Sequence, residues 1–287
     1  MFTLRIENAR GEFKEFTHDQ GNYYVVGIQG LAYPPTNVNT ATGGGVDGSF
    51  HNSSRVQQRN LVIDIVLNGD IETNRQQLYR FFNIKKPCMI YFSNANRNVK
   101  IQGYVEVLDG DFFVQRERMQ ISIICPRPYF EDMDAIEAEI STSLSMFEFP
   151  FFINVSEPIP ISEITAEPTA TLNNTGDADV GFTAEIEVKE SITSLALINS
   201  TTNEQFALDL TNVGVTEGHT IYLDTRTGQM GVRVETGIVS LNLINYIVDG
   251  SKWLKLIPGE NELTFTCSGG YDAVEIRFNL TALYGGV

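Results

Sequence analysis

The sequence has 287 residues, of which 42% are hydrophobic and 20% charged, enough apolar material for one large β domain or two ordinary ones. Its formal net charge is −16, and the excess lies in the second half: residues 1–140 carry 14 Lys and Arg against 17 Asp and Glu, and residues 141–287 carry 6 against 19. So few cations argue against a nucleic-acid-binding protein that works by counterion release, and against attraction to an anionic membrane surface.

The first residues, MFTLRIENARGEF, alternate as a strand does and lack the basic and apolar regions of a secretion signal. Apolar runs stay shorter than a membrane span. We therefore expect a soluble protein made in the cytoplasm. The cysteines Cys88, Cys125 and Cys267 are far apart and form no C-x-x-C pair, which indicates buried thiols rather than a disulfide framework or a zinc site.

Residues 33–54, YPPTNVNTATGGGVDGSFHNSS, contain two prolines and three consecutive glycines. Such a segment is either a flexible loop or a long extended arm that orders only against a neighbouring molecule. From composition alone the flexible loop is the favoured interpretation.

Alternation of apolar and polar residues, the period of a half-buried strand, dominates the rest of the first half. One segment differs: from Asp70 onward, Leu78, Phe81 and Phe82 have helical spacing, which predicts a short helix from about Asn74 to Phe82 with Thr73 or Asn74 as N-cap. The residues predicted to face the core of the sheet are Leu61, Ile63, Ile65 and Leu67, then Val99, Ile101, Val105 and Val107 with Gly103, then Met119, Ile121, Ile123 and Cys125.

A domain boundary is predicted between residues 129 and 145. Pro126 and Pro128 end a strand there, and an acidic stretch follows. This placement gives an N-terminal domain of residues 1–137 and a C-terminal domain of residues 138–287.

The second half is also predicted to be β. In GHTIYLDTRTGQMGVRV, residues 218–234, alternation on both sides of DTRTGQ predicts a hairpin, with Asp224 capping its own turn rather than acting as a catalytic carboxylate. The inward residues predicted for two further strands are Phe182, Ala184, Ile186 and Val188, then Val274, Ile276, Phe278 and Leu280.

Candidate chemistry is sparse. The histidines His18, His51 and His219 have neither metal-ligand nor triad spacing, and no glycine-rich phosphate loop leads into a helix. Glu185 and Glu187 lie two apart on one strand, where a solvated face is more common than a facing catalytic pair. The sequence therefore supports no catalytic, cofactor-binding or metal-ligating residue, and we expect a protein that is not an enzyme.

In their order, these segments resemble the distal tail protein family, often called Dit, of long-tailed, siphovirus-type bacteriophages. The first half supplies GVDGSFHNSSRVQQRNLVIDIVL, NRQQLYRFFNIKKPCMIYF and a segment ending in CPRPYF. The second half supplies LNNTGDADVGFTAEIEV, GHTIYLDTRTGQMGV and SKWLKLIPGENELTF, similar to N-x-G-D, D-T-x-x-G and W-x-x-L-x-P-G-x-N elements of that family. The resemblance spans nearly the whole chain.

The resemblance implies a mainly β fold: an N-terminal β-sandwich-like ring domain with one short helix and an extended hairpin arm, plus a C-terminal galectin-like β-sandwich. It maps residues 33–54 onto the arm, which reverses the preference for a free loop. It also implies a homo-hexameric ring in the virion, at the phage tail tip, that joins the tail tube protein to a tail-associated tip protein or baseplate and possesses a channel through which DNA passes without specific binding.

Receptor-binding proteins are further partners that such a hub would have, and we expect assembly in the host cytoplasm without a membrane partner. Two alternatives remain. The first is a carbohydrate-binding lectin, in which Trp253 on the C-terminal sandwich stacks on a sugar ring, although a packed aromatic is the more frequent role of a single tryptophan. The second is a glycoside hydrolase that uses Asp224 or Glu185.

Overall fold

The computed structural model describes residues 2–18, 21–45, 47–112, 117–140, 168–237 and 239–287, together with the backbone of 143–145 and 162–164. Its contacts divide the chain into two compact units. The first comprises Met1–Met133 and Leu283–Val287, and the second comprises Asp134–Ala282. The predicted mainly β fold is confirmed. The predicted assignment of 1–137 to ring formation and of 138–287 to a galectin-like domain stays a prediction.

The first unit is built on a sheet in which all strand pairs are antiparallel, in the order β2-β1-β7-β8-β9-β6-β3, with β10 pairing both β8 and β23. Its elements are β1 (Thr3–Glu7), β2 (Phe13–Phe16), β3 (Tyr23–Gln29), β4 (Thr36–Ala41), β5 (Phe50–Val56), β6 (Arg59–Leu67), α1 (Ile71–Phe81), β7 (Pro87–Ser93), β8 (Asn98–Gly110), β9 (Arg118–Cys125), β10 (Phe130–Asp132) and β23 (Leu283–Tyr284).

The two ends of this sheet meet. A bridge joins Thr17 to Tyr24, and the Val25 N–H donates to the Thr17 carbonyl at 2.7 Å, so the sheet curls on itself around an apolar interior. The predicted inward residues of β6 and β9 are all buried, with exposures of 0–3%. The alternation of apolar and polar residues was sufficient to predict the inward side chains of β6 and β9, because the two strands pair without a register shift.

One inward prediction on β8 is wrong. Val99 and Ile101 are buried, but Val107 is 41% exposed. The register between β8 and β9 shifts between Val105 and Val107. Such a bulge adds one residue to a strand and turns every later side chain to the opposite face.

The helix begins earlier than predicted. It runs from Ile71 to Phe81, and its N-cap is Asp70, whose carboxylate accepts from the Thr73 N–H and hydroxyl. The predicted caps Thr73 and Asn74 are therefore wrong, because Asp70, three positions before Thr73, accepts from a backbone N–H of the first turn. Leu78 and Phe81 are buried, as the helical spacing predicts. Among the described residues, no helix is long and apolar enough to cross a bilayer.

The second unit contains two larger sheets, in the orders β11-β22-β15-β18-β19-β20 and β14-β21-β16-β17, with β12 and β13 paired separately. Side chains from both larger sheets line one small internal gap, so the sheets pack face to face as a sandwich. The strands are β11 (Ile136–Ile140), β12 (Ser143–Ser145), β13 (Ser162–Ile164), β14 (Thr169–Asn174), β15 (Thr183–Val188), β16 (Ser194–Asn199), β17 (Glu204–Asp209), β18 (Thr220–Asp224), β19 (Gly231–Glu235), β20 (Ser240–Asn242), β21 (Gly259–Cys267) and β22 (Val274–Leu280), with 3-10 turns at Ile244–Tyr246 and Tyr271–Ala273.

All the inward residues predicted for β15 and β22, with Phe182 just before β15, are buried in this sandwich. The rings of Phe182 and Phe278 meet edge to face, with centroids 5.5 Å apart. The predicted hairpin at residues 218–234 is confirmed, since β18 and β19 pair from Thr220 with Glu235 to Asp224 with Gly231.

The prediction of buried thiols is confirmed for Cys88 and Cys125, and burial raises the pKa of each to about 12. Cys267 is only half-buried, although burial also raises the pKa of its thiol. The first two are therefore neutral, unreactive core groups at ordinary pH.

Replacement of Gly181 by alanine tests how the hairpin at Asp224 is held. A Cβ on Gly181 would lie 2.5 Å from the Thr225 carbonyl oxygen and 2.7 Å from Arg226 Cα. Both contacts are with backbone atoms, which cannot move away as easily as the end of a flexible side chain. We expect Gly181→Ala to lower the free energy of unfolding by about 1–3 kcal/mol, measured by urea denaturation. Gly231→Ala is the control, because its nearest neighbour is at 3.9 Å. Equal stabilities for the two variants would contradict this packing.

Candidate interaction site at the hairpin arm

Residues 36–56 form a two-stranded hairpin, which we call the arm. β4 pairs with β5 from Thr36 with Val56 to Ala41 with Phe50, and every residue of the two strands is exposed except the half-buried Val56. The interpretation as a flexible loop, made from composition alone, is wrong. The glycine-rich residues are confined to the tip, while the Thr, Asn and Ser residues on either side satisfy their backbone groups across the hairpin; Val46 lies outside the described residues.

The arm has two distinct faces because paired residues project on the same side of a ladder. The first face is fixed by a hydrogen bond between Asn39 Nδ2 and Ser53 Oγ at 3.0 Å, and the second by one between His51 Nε2 and Ser54 Oγ at 2.7 Å. The first face, the Arg55 face, consists of Asn37, Asn39, Ala41, Phe50, Ser53 and Arg55.

The base of the arm is held by Arg59, the first residue of β6. Its side chain is in phase with the core residues of that strand, and the residue is 1% exposed. The guanidinium donates to four backbone carbonyls. These are Pro128 at 2.7 Å, Ala32 at 2.6 Å, Gly285 at 2.7 Å, and Gly30.

These carbonyls come from three separate parts of the first unit. Gly30 and Ala32 lie on the chain entering the arm, Pro128 follows β9, and Gly285 follows β23. The guanidinium also lies 4.3 Å from the centroid of the Phe130 ring. Burial lowers the pKa of Arg59, but an arginine keeps its charge at any ordinary pH. One cation thus joins the two ends of the arm to the sheet of the first unit.

The residues after β23 complete this base. The Val287 N–H donates to the Leu31 carbonyl at 3.1 Å. Arg97 donates to the Gly286 carbonyl and stacks on Tyr284, 4.3 Å from its ring centroid. A Cβ on Gly285 would lie 2.2 Å from the Tyr33 ring, so only glycine permits that ring to pack there.

The sequence did not single out Arg59 as a functional residue. A signal was present: Arg59 precedes Leu61, Ile63 and Ile65 by even steps, so the alternation that predicted those residues inward also predicts an inward arginine. A buried arginine requires several acceptors, and the sequence gives no indication that they come from residues as distant as Gly285.

In the second unit, the structure places Asp224 at the end of β18, where its carboxylate accepts from the Arg226 backbone N–H at 2.9 Å and from Arg226 Nη2 at 2.6 Å. Burial alone would raise the pKa of Asp224, but the Arg226 hydrogen bonds outweigh it and lower the pKa below its ordinary value. A carboxylate held in its ionised form is a poor general acid, which agrees with the predicted turn cap.

Asp224 and Glu185 line one cleft of about 670 Å³ over the outer face of the six-stranded sheet. Glu185 accepts from the Tyr222 hydroxyl at 3.3 Å. Glu187, on the same strand, pairs with Lys189 at 2.8 Å and Arg277 at 3.0 Å, and these bonds lower its pKa. This is the solvated face that the two-residue spacing predicts, and the structure adds ion pairs to it.

Trp253 and the histidines have local partners. The Trp253 ring lies 5.1 Å from that of Phe206, so the tryptophan is a half-buried packing residue. His18 stacks on Phe2, and His219 Nδ1 accepts from the Thr216 N–H at 3.3 Å. The described residues contain no group of three or more His, Cys, Asp or Glu side chains arranged to hold a metal ion.

The asparagines of the second-half motifs hold turns. Asn174 donates to the carbonyls of Ala178 and Leu256 and accepts from the Gly176 N–H at 2.9 Å. Asn261 accepts from the Ile257 N–H at 3.0 Å and donates to its carbonyl at 2.7 Å. Both residues are buried, at 1% and 0% exposure, so their roles are structural.

Two family models match the chain. Residues 18–125 match the phage tail protein RIFT-related domain, and residues 175–281 match the C-terminal domain of the siphovirus-type tail component. No curated protein matches the chain.

Among solved structures, the crystal structure of the SPP1 Dit (gp 19.1) protein, described as a paradigm of the hub adsorption apparatus in phages infecting Gram-positive bacteria, is similar over 99% of both chains, with a TM-score of 0.70 and 15% identity. At that identity the likeness is one of fold. A chain of the phage P2 baseplate in its activated conformation with calcium covers 98% of both chains at 11% identity and a TM-score of 0.49.

Replacement of Arg59 by methionine tests the base of the arm. Methionine fills part of the volume but leaves four carbonyls without their donor, of which that of Gly285 belongs to a buried residue. We therefore expect the free energy of unfolding to fall by about 3–5 kcal/mol, measured by guanidinium chloride denaturation. Arg55→Met, the same change on the exposed arm, is the matched control, with an expected effect within about 0.5 kcal/mol. Equal effects of the two changes would show that Arg59 does not hold this region together.

Proposed function

The chain belongs to the distal tail protein family of siphovirus-type phages, a structural component of the hub or baseplate of the phage tail, and we propose that it acts there as a six-membered ring. Both family models, which together cover most of the chain, describe phage tail components. In this proposal the ring joins the tail tube protein to the tail-associated tip protein, and the second unit offers a surface for further baseplate or receptor-binding proteins.

The arm is the observation that carries the proposal. It extends from the first unit with both faces in solvent, so its own molecule gains little apolar burial from it, while Arg59 holds its base through four hydrogen bonds. Exposed large side chains on an ordered extension are costly unless they are covered in an assembly. An arm that binds a different patch on an identical neighbour makes a heterologous contact, and such contacts close into rings when the rotation is right.

A ring of this kind would leave a channel on its axis, through which we propose that DNA passes. The acidity of the chain supports a passive channel: the formal net charge is −16, and residues 1–140 carry no cationic excess. Phosphates bind where Lys and Arg displace counterions, so a lumen poor in these residues would let a duplex slide.

The ring proposal predicts that the purified chain assembles to six times its mass of 32.0 kDa. Residues 36–56 can be removed with little strain, because the Gln57 N–H already donates to the Pro35 carbonyl at 2.8 Å and a Gly-Ser linker spans that gap. We expect the armless variant to keep the thermal midpoint of the full chain within about 2 °C, since the arm adds no core, and to remain monomeric. Native mass spectrometry and negative-stain imaging measure both chains.

A full-length chain that stays monomeric at every concentration would contradict the ring. An armless variant that assembles as the full chain does would contradict the role of the arm in closing it.

A further inference from the structure

A polar cleft interrupts the outer face of the first unit, on the strands β3, β6, β9 and β8. One row of residues crosses these strands in register: Gly27 opposite Asp64, Asp64 opposite Gln120, and Gln120 opposite Asp109. Gln120 donates to the Asp64 carboxylate at 3.1 Å. The row therefore presents two carboxylates on either side of one amide.

The cleft exists because the row begins with a glycine. The register of β3 shifts between Val25 and Gly27, and a Cβ built on Gly27 would meet nothing within 4 Å. The resulting space of about 360 Å³ is lined by three aspartates and one arginine: Asp64, Asp109, Asp111 and Arg118. Its net charge is negative, so it attracts a cation.

Apolar side chains border the cleft on β3. Tyr24 is 38% exposed and Val26 is 50% exposed. β3 is also the last strand of its sheet path, and among the described residues no strand pairs with its outer edge beyond the single bridge at Tyr24. An acidic cleft next to exposed apolar groups, on a strand whose outer edge is paired only at Tyr24 and Val25, favours an extended segment that carries both a cation and an apolar side chain.

The Arg55 face of the arm has that composition. Arg55 is the single Lys or Arg of β4 and β5, these strands carry no carboxylate, and Phe50 on the same face is 61% exposed. Polar Asn and Ser side chains lie between the two. The arm and the cleft are thus complementary in charge and in apolar content.

The arm cannot reach the cleft of its own molecule. Arg55 and Asp64 are nine positions apart along the nearly continuous run of β5 and β6. At the rise of an extended strand this spans roughly 30 Å, which exceeds the reach of an arginine side chain several-fold. An Arg55 side chain that enters the cleft must therefore come from another molecule.

We propose that the arm of a second copy of this chain docks across β3 and β6 of the first unit, with its Arg55 in the cleft between Asp64 and Asp109 and its Phe50 beside the exposed side chains of β3. The proposal rests on the ring assembly proposed above and names the surface that receives the arm. Arg55 is a positioning residue: it fixes the register of the arm on its neighbour, as charge pairs at interfaces do.

A charge swap in the full-length chain tests this contact. We expect Arg55→Glu alone, and Asp64→Lys with Asp109→Lys, each to raise the concentration of half-assembly at least tenfold, since each places like charges in contact. The chain that carries all three substitutions should return to within about threefold of the unmodified chain. Mass photometry over a dilution series measures the assembly. Arg127→Glu, an exposed site of the same unit and the same change of charge, is the control and should have no effect.

The outcomes separate this contact from the ring itself. A normal ring from Arg55→Glu would overturn the docking contact and leave the ring standing. Loss of assembly in both charge variants without recovery in the combined chain would show that Arg55 and the cleft bind other groups, which also overturns it. A full-length chain that never assembles would overturn the ring and the contact together. Arg55, Asp109 and Arg127 are exposed and Asp64 is half-buried, so the thermal midpoint of each variant is measured to confirm that it folds.

Discussion

The buried guanidinium of Arg59 is the interaction on which the arm depends. Removing an arginine from water costs several kcal/mol, and among the described residues no carboxylate pairs with Arg59 to offset that cost. The charge is stabilised instead by four carbonyls and the face of Phe130. Because those carbonyls belong to the entrance of the arm, the end of β9 and the residues after β23, one side chain sets the position of all three. An otherwise unsupported hairpin thereby acquires a fixed base.

The polar side chains described in the rest of the molecule have structural roles. Two carboxylates whose pKa values are lowered, Asp224 and Glu187, are held by neighbouring cations on an open sheet face. Its buried polar residues satisfy backbone groups in turns, as Asn174 and Asn261 do. Side chains that are held by such contacts stabilise the surfaces on which they lie. This agrees with the role of the family as a structural component of the phage tail.

Much of this fold could be predicted from the sequence because alternation is a local property of a strand. It located the cores of β6, β9, β15 and β22 and the corner at Asp224. It failed at Val107, where a bulge that depends on the partner strand changed the face, and at the arm, where glycine and proline content concealed a paired hairpin. The acceptors of Arg59 lie up to 226 positions away, and the cleft requires four strands in register. A local sequence pattern contains no information on the distant acceptors of Arg59 or on the register of these four strands.

The central claim is that an arm with a fixed base reaches from one copy to the next around the tail axis. Electron cryo-microscopy of the tail tip of intact phage particles, at a resolution that separates strands, tests it most directly. The account predicts six copies around the axis, with the β4–β5 hairpin of each lying across β3 and β6 of its neighbour. Hairpins that lie on a different protein, or a chain located away from the axis, would contradict it.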